Sequence, residues 1–348
     1  MIFIFTEVYK RIGGIQKYNK NIVDFLIREN IRAFVLSLND EINFKRNYLI
    51  FKGFKKNKIK FFIFSIFYSL KSKKIIIGHL NFWPIIPFIK IFNPFSKTFL
   101  ILYGIEAFKK LNIFKKFSLL FLNNFISVSN FTKNKFLENN KFLKNKNFFL
   151  LPTYIEFKDK IDYFEKLPEG KIILSVSRLD KSEKYKGIDK VIKIMPSILK
   201  EFPDAYYIIV GDGDDKGNLE KIAENLNIKG KVIFKGFLSE EKLNFYYKNC
   251  DLFILPSKKE GFGIVFLEAL SFGKIVIAGN KDGSKEALLN GEIGILIDPD
   301  NLEEIKEAII KVLKREIDKR FFDSEFLKNK IVEEFSFEKF KERIKFLI

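Results

Sequence analysis

The sequence predicts an α/β protein made of two parallel sheets, each with helices on both faces, and three observations predict it. Short apolar runs alternate with longer helical stretches along most of the chain. The alternation restarts after an acidic, proline-bearing stretch from Pro152 to Gly170. The chain's 348 residues give room for two hydrophobic cores, since single cores stop growing at roughly 250–300 residues. The first domain is therefore drawn over 1–152 and the second over 169–330, with a last helix, Phe335–Ile348, available to pack back on the first.

In the first domain the strand candidates are Ile2–Phe5, Arg32–Leu36, Lys74–Ile77, Thr98–Leu102 and Asn124–Val128. Runs this short and this apolar fit strands buried on both faces. A second series follows: Lys171–Val176, Ala205–Val210, Lys231–Phe234, Leu252–Leu255, Ile275–Ala278 and Gly294–Ile297. Helical stretches lie between them, as in Ile188–Glu201, Asn218–Leu226, Ser239–Asn249 and Asn301–Lys314. No short-period repeat is visible.

Composition narrows the class. A hydrophobic content of 47% is globular. One cysteine, Cys250, excludes an intramolecular disulfide and argues for a reducing compartment. With one Cys and one His, a Cys/His zinc site is not possible. The N-terminus has no basic segment before its apolar run and reads as a first strand, not a signal peptide. The best apolar window, Ile59 to Leu70, is broken by Lys60 and too short to span a bilayer. A cytoplasmic protein is expected.

The net charge of +19 is unevenly placed. Residues 1–150 hold 27 Lys and Arg against 7 Asp and Glu, while the rest hold 35 against 36. From Ile42 to Ile105 there is no acid at all. A Lys-, Asn-, Ile- and Phe-rich chain fits an AT-biased genome, which accounts for the lysines but not for the missing acids. A one-sided basic domain suggests an anionic partner: a membrane surface, a nucleic acid or a phosphorylated substrate. No nucleic-acid-binding module is recognisable, so nucleic acid is the weakest of the three.

Candidate ligand sites sit at strand ends, where open α/β sheets bind. Gly13-Gly14 follows the first strand and precedes the apolar-periodic run Ile15 to Ile27, so it is either a phosphate seat at a helix start or an ordinary turn. His79 follows the strand ending in Ile77-Gly78 and is either a ligand contact or structural. In the second domain, Arg178 follows one strand and Lys186-Gly187 opens the next helix. A planar fork and a compact point charge at one strand end suit a diphosphate. Val210-Gly211-Asp212-Gly213 ends another strand in a tight turn. The segment Glu260-Gly261-Phe262-Gly263-Ile264-Val265-Phe266-Leu267-Glu268 then places two carboxylates around a glycine turn and a helix start. Amides at a helix start attract phosphate, and carboxylates accept hydrogen bonds from sugar hydroxyls.

In that order and spacing, Arg178…Lys186-Gly187, Gly211-Asp212-Gly213, Gly236-Phe237-Leu238, Pro256-Ser257…Glu260-Gly261-Phe262-Gly263…Glu268-Ala269 and Gly294–Pro299 resemble the family-4, GT-B-fold retaining glycosyltransferases, the glycosyl transferases group 1. The resemblance holds from about Lys171 to Pro299. It is fainter in the first domain, through Gly13-Gly14, Gly78-His79, Tyr103-Gly104-Ile105-Glu106 and Ser127-Val128-Ser129…Thr132. It implies two Rossmann-like domains facing across a cleft, with a nucleotide-diphosphate sugar as donor substrate, no cofactor and no metal.

Residue roles follow from the resemblance. Arg178 and Lys186 would hold the diphosphate and stabilise the leaving group. Gly261, Phe262, Gly263, Ile264 and Val265 would offer backbone N–H groups. Glu260 would contact sugar hydroxyls near the reacting carbon, Glu268 the ribose, and Phe237 and Leu238 the base. Gly211 would line the donor site, and Gly13 and Gly14 would approach donor phosphate from the other domain. The implied chemistry is transfer with retention: the acceptor hydroxyl attacks on the face the diphosphate leaves, and a phosphate oxygen takes its proton. Glu260 is then not a nucleophile of the glycosidase kind.

One departure bears on turnover. The family often has a His where this chain has Tyr103. A phenol can donate a hydrogen bond but cannot do imidazole acid/base chemistry near neutral pH. This keeps open a catalytically silent sugar-nucleotide binding or assembly subunit, beside a sugar-nucleotide epimerase. The acceptor is expected to be an envelope glycan or lipid-linked sugar. The basic-flanked aromatic stretch Phe61–Leu70, with Ala107–Phe117 as a second candidate, either lies at a membrane interface or forms buried helices.

Overall fold

The computed structural model describes all residues except 12 and 158–160. The chain divides into two compact units, Met1–Tyr154 with Phe337–Ile348, and Ile155–Ser336.

Unit 1 is an eight-stranded sheet. Its strands are β1 (Ile2–Phe5), β2 (Ala33–Ser37), β3 (Asn43–Arg46), β4 (Leu49–Gly53), β5 (Lys74–Ile77), β6 (Lys97–Leu102), β7 (Asn124–Ser127) and β8 (Asn147–Leu150), in the order β3-β4-β2-β1-β5-β6-β7-β8. All pairs are parallel except β3 with β4. The central β1 is buried throughout, which is why its sequence is a continuous apolar run and not an alternation. Chain order reverses between β1 and β5, a topological switch point. The helices are α1 (Gly14–Arg28), α2 (Lys58–Leu70), α3 (Ile85–Phe92), α4 (Ile113–Leu120) and α5 (Asn130–Asn139). Residues of α2, α3, α4 and α5 share one core with Ile2, Ile4, Ile75 and Ile77.

Three strands of unit 1 were not expected from the sequence. The edge strand β3, Asn-Phe-Lys-Arg, is mostly exposed and carries no apolar period. It turns into β4 through Asn47, which sits in the left-handed region at φ 51°. The other edge strand, β8, is only partly covered.

Unit 2 is a six-stranded, fully parallel sheet of β9 (Ile172–Val176), β10 (Tyr206–Val210), β11 (Val232–Gly236), β12 (Leu252–Leu255), β13 (Ile275–Gly279) and β14 (Ile295–Ile297). The order β11-β10-β9-β12-β13-β14 puts the switch point between β9 and β12. Its helices are α6 (Ile188–Glu201), α7 (Lys216–Asn225), α8 (Glu240–Asn249), α9 (Ile264–Ser271), α10 (Ser284–Ala287), α11 (Leu302–Lys314) and α12 (Ser324–Phe335).

The expected last helix is α13 (Phe337–Arg343), followed by a short 3-10 turn over Ile344–Leu347 and separated from α12 by the extended backbone of Ser336. Phe337 and Phe340 of α13 return to unit 1, packing on Phe25 of α1 and on Tyr154. Among the described residues no helix is long and apolar enough to cross a membrane.

Candidate functional site

The carboxyl ends of β9, β12 and β13 in unit 2 assemble a charged loop cluster at the switch point. Past β9 the chain makes a short helical turn, Lys181–Lys186, and enters α6 through Gly187. Gly187 has φ +78°, and a Cβ there would lie 2.6 Å from the carbonyl oxygen of Pro256. Glycine is thus required both for the turn and for the approach of the β12 loop. That approach sets Lys186 Nζ 2.5 Å from Glu260 Oε1, with both side chains largely buried.

Glu260 is itself held from β13. Its backbone N–H donates to Asp282 Oδ2 at 2.6 Å, and its carbonyl accepts from Gly283 N at 2.9 Å. Asp282 also accepts from Ser284 N at 3.0 Å and is almost fully buried. Burial, with the Glu260 charge beside it, pushes the Asp282 carboxyl up to about 6.

From Glu260 the chain turns into α9 through Gly263, at φ +94°. A Cβ at Gly263 would meet the Phe266 ring at 2.4 Å, so this turn also excludes other residues. The Phe262 side chain is buried edge-on to Phe335 at 5.6 Å, so it anchors the loop and leaves only its backbone for a ligand. One turn into α9, Glu268 accepts a hydrogen bond from the Tyr247 hydroxyl at 2.7 Å.

Helix starts differ in how their first amides are met, and α3, α7 and α10 are among those without a side-chain cap. The helices α2, α4, α5, α8, α11 and α12 begin with an Asn, Ser or Asp whose side chain caps the first amides. The helices α1, α6 and α9 begin with Gly13, Gly187 and Gly263 and have no side-chain cap. Neither α1 nor α9 has an acid in its first turn. Uncapped amides with no acid in the first turn are suited to an anion from outside.

Arg178 ion-pairs with Glu183. Glu183 is buried, its Oε2 has no hydrogen-bond partner, and burial raises its carboxyl against the pull of Lys186 and Arg178. Arg178, Glu183 and Lys186 line one small cavity. Gly211 N donates to Gly236 O at 2.8 Å, which brings Phe237 and Leu238 beside the end of β10. The Phe237 ring is exposed.

In unit 1, Gly13 caps α1 at the end of the β1 loop, and a Cβ on Gly14 would meet nothing within 4 Å. His79 follows β5. Its Nδ1 accepts from Asn81 N at 3.0 Å, which leaves Nε2 as the N–H. Burial lowers its pKa to about 4, so the ring is neutral near pH 7. The Tyr103 hydroxyl is buried and donates to Asn19 Oδ1 at 2.5 Å within the fold. Glu106 accepts from the backbone N–H of Tyr103 and Gly104 at 2.6 and 3.2 Å.

Three supporting side chains belong to no motif. Glu183 could have been found as one of two acids, with Asp180, between Arg178 and Lys186, and Asp282 as the Asp-Gly-Ser turn after β13. Tyr247 carries no local signal. Among the described residues no group of three or more His, Cys, Asp or Glu is placed to hold a metal ion.

Residues 157–324 match the family described as glycosyl transferases group 1. Over 162 residues the chain is 33% identical to an uncharacterized glycosyltransferase of Methanocaldococcus jannaschii, covering 46% of this chain and 40% of that one. It is 30% identical over 155 residues to the GDP-mannose-dependent alpha-(1-6)-phosphatidylinositol monomannoside mannosyltransferase of Mycobacterium tuberculosis, covering 42% and 40%. The matched region is thus about two fifths of these curated relatives' length. In structure the chain is similar to Anabaena HepE in complex with UDP-glucose, at a TM-score of 0.77 and 16% identity over 99% of this chain and 98% of that one. It is also similar to sucrose-phosphate synthase from Thermosynechococcus elongatus, at 0.78 and 16% over 99% and 97%. The likeness in structure shows the fold, which is GT-B.

Proposed function

We propose, from the premise that the chain belongs through residues 157–324 to the glycosyl transferases group 1, that it moves a sugar from a nucleotide-diphosphate donor to an acceptor hydroxyl with retained configuration. One observation carries this reading. Lys186 and Glu260 meet at 2.5 Å at the switch point, next to the uncapped start of α9 and one cavity away from Arg178. A diphosphate is the ligand that uses both cations and the helix amides together.

In this reading Arg178, Lys186 and the α9 amides neutralise the charge that grows on the departing diphosphate, with no metal needed. Glu260 accepts from sugar hydroxyls while Lys186 and Asp282 hold it in place. Glu268, steadied by Tyr247, accepts from the ribose. The acceptor oxygen bonds to the anomeric carbon as the carbon–phosphate oxygen bond breaks, and its proton passes to the departing phosphate.

The acceptor belongs to cell-envelope glycan synthesis, as a lipid-linked or surface sugar, and the protein works from the cytoplasmic side of the membrane. The mannosyltransferase relative and the HepE complex with UDP-glucose support a nucleotide sugar as donor class. The internal bond of Tyr103 favours the second reading, a sugar-nucleotide binding subunit without turnover.

A thermal-shift panel with uridine, guanosine and adenosine diphosphate sugars tests the donor site, since a bound ligand stabilises by mass action. One nucleotide class should raise the melting temperature, and Glu268→Ala should reduce that rise. No shift with any donor would overturn the proposal. A shift without donor hydrolysis or transfer would favour the silent reading.

A further inference from the structure

Unit 1 carries a second apolar surface that its core does not use. On α2, Phe61, Ser65 and Ser69 are buried at four-residue spacing. Ile59, Ile63 and Phe67 repeat that spacing on the outward side and are all exposed. On α3 the core takes Ile85, Ile86 and Ile89, while Phe88, Ile91 and Phe92 face solvent. Phe95, just past α3, is 96% exposed. On α4, Ser118 and Leu119 are buried, and Ile113, Phe114 and Phe117 are not. A water-facing helix ordinarily places polar residues at these positions.

These stripes are contiguous. Phe62 of α2 meets Phe88 of α3 edge-on at 5.4 Å. Trp83, ahead of α3, stacks on Phe114 of α4 at 6.3 Å. All three helices rest on one core. Single exposed apolar side chains need no explanation, but a contiguous face marks an interaction site.

The charge around this face has one sign. Lys55, Lys56, Lys58 and Lys60 lead into α2, and Lys109, Lys110, Lys115 and Lys116 border α4. From Ile42 to Leu137 the one acid in the sequence is Glu106, whose carboxylate is turned onto backbone amides. At the ends of α2 and α3 a concavity of about 450 Å³ is lined by Lys71, Lys73, Lys74, Lys97, Leu70 and Phe95. It brings the ammonium groups of Lys71, Lys73 and Lys97 to an apolar rim, while Lys74 Nζ donates to the Ile348 oxygen at 2.7 Å.

We propose that the outer face of α2, α3 and α4 docks on an anionic lipid bilayer, with its aromatic and aliphatic residues at the headgroup–acyl boundary and the lysine-lined basin holding a lipid phosphate. Interfacial segments combine an apolar face with lysines that neutralise anionic headgroups. A second copy of this chain would bring lysines against lysines, which opposes self-association through this face. The proposal deepens the membrane reading above and rests on it for the purpose of docking, but the docking itself needs no catalysis.

The test is sedimentation of the full chain with phosphatidylcholine vesicles, with and without phosphatidylglycerol. Binding should require phosphatidylglycerol and weaken as salt rises. Ile91→Ser with Phe95→Ser, and separately Lys71→Glu with Lys73→Glu, should each cut vesicle binding roughly tenfold. All four positions lie outside the donor site, so the melting temperature and the nucleotide-sugar shift should not change. No vesicle binding at low salt would overturn the proposal, as would binding that both variants leave intact. A concentration-dependent dimer abolished by Ile91→Ser with Phe95→Ser would instead make the face a self-interface. Vesicle binding without any nucleotide-sugar shift would sink the glycosyl-transfer reading and leave docking standing. A shift without vesicle binding would do the reverse.

Discussion

The two units hold positive charge in opposite ways. In unit 2 the cations at the switch point are each fixed by a carboxylate: Lys186 by Glu260, and Arg178 by Glu183. Farther out, Lys190, Lys258 and Lys281 converge on Asp300, and those lysines hold its carboxyl well below the usual range. In unit 1 the lysines from Lys52 to Lys97 share a stretch of sequence with no acid. A paired cation has a defined position and suits a ligand of defined shape. Unpaired lysines spread over a face create a field and suit a surface, with little demand on geometry.

The sharpest way to break this comparison is Lys186→Ala. It removes a cation from the proposed diphosphate site and leaves Glu260, largely buried, without its ion-pair partner. Turnover should fall by about 10²–10³, the loss seen when one charge-stabilising donor is removed from a transition state. Steady-state kinetics with the donor found in the thermal-shift panel checks it. Raised salt should weaken vesicle binding more than donor binding, because the unit 2 pairs are partly buried and less screened. Lys186→Ala with unchanged turnover would mean that the ion pair is merely structural.

How far the sequence carried the reading follows the same division. In unit 2 the candidate side chains follow two strand ends in chain order, Arg178 and Lys186 after β9 and Glu260 and Glu268 after β12, so they are readable along the chain. The supports, Glu183, Asp282 and Tyr247, act through long-range contacts and have no local pattern. In unit 1 the continuous apolar runs of β1 and β5 are plain, but the polar edge strand β3 has no periodic signal. Residues Phe61–Leu70 could be read as buried or as interfacial, and in α2 one face lies in the core while the other is exposed. Hydrophobicity on two sides of a helix cannot be sorted without knowing which side the sheet takes. For Tyr103 the residue type was read correctly, but its partner Asn19 is 84 positions away.

A smaller effect, several-fold in size, concerns pH. Asp282 is raised from 3.8 to about 6 by burial and by Glu260. Between those values the folded state holds a proton that the unfolded state has lost, so the stability from this group is full below 3.8 and is lost as pH rises through about 6. Protonation also weakens Asp282 as an acceptor for the Glu260 N–H. Donor affinity should therefore fall several-fold as pH drops below 6, while this group's share of fold stability rises. His79, lowered to about 4, stays neutral above about pH 5 and adds no step near 6. Donor titrations across this range check the sign, and Asp282→Asn should remove the step. A step that survives in Asp282→Asn would assign it to another group.

The smallest effect is expected in unit 1, from Tyr103→Phe. The substitution keeps the ring, which packs edge-on to Tyr18 at 5.4 Å, and removes the hydroxyl that donates to Asn19. Asn19 is fully buried, and its amide N–H is already given to the Glu7 carbonyl at 2.9 Å. Its Oδ1 would lose the Tyr103 hydroxyl as donor, at a cost of about 1–3 kcal/mol. The melting temperature should drop by several degrees, while donor affinity and turnover per folded molecule stay as they were. That is the reverse of the pattern expected for Lys186→Ala, and the two together separate a residue that builds unit 1 from one that serves the ligand. If Tyr103→Phe left the melting temperature unchanged and reduced turnover, the hydroxyl would have to leave Asn19 and reach the sugar during the reaction. The contrast between a structural Tyr103 and a chemical Lys186 would then fail.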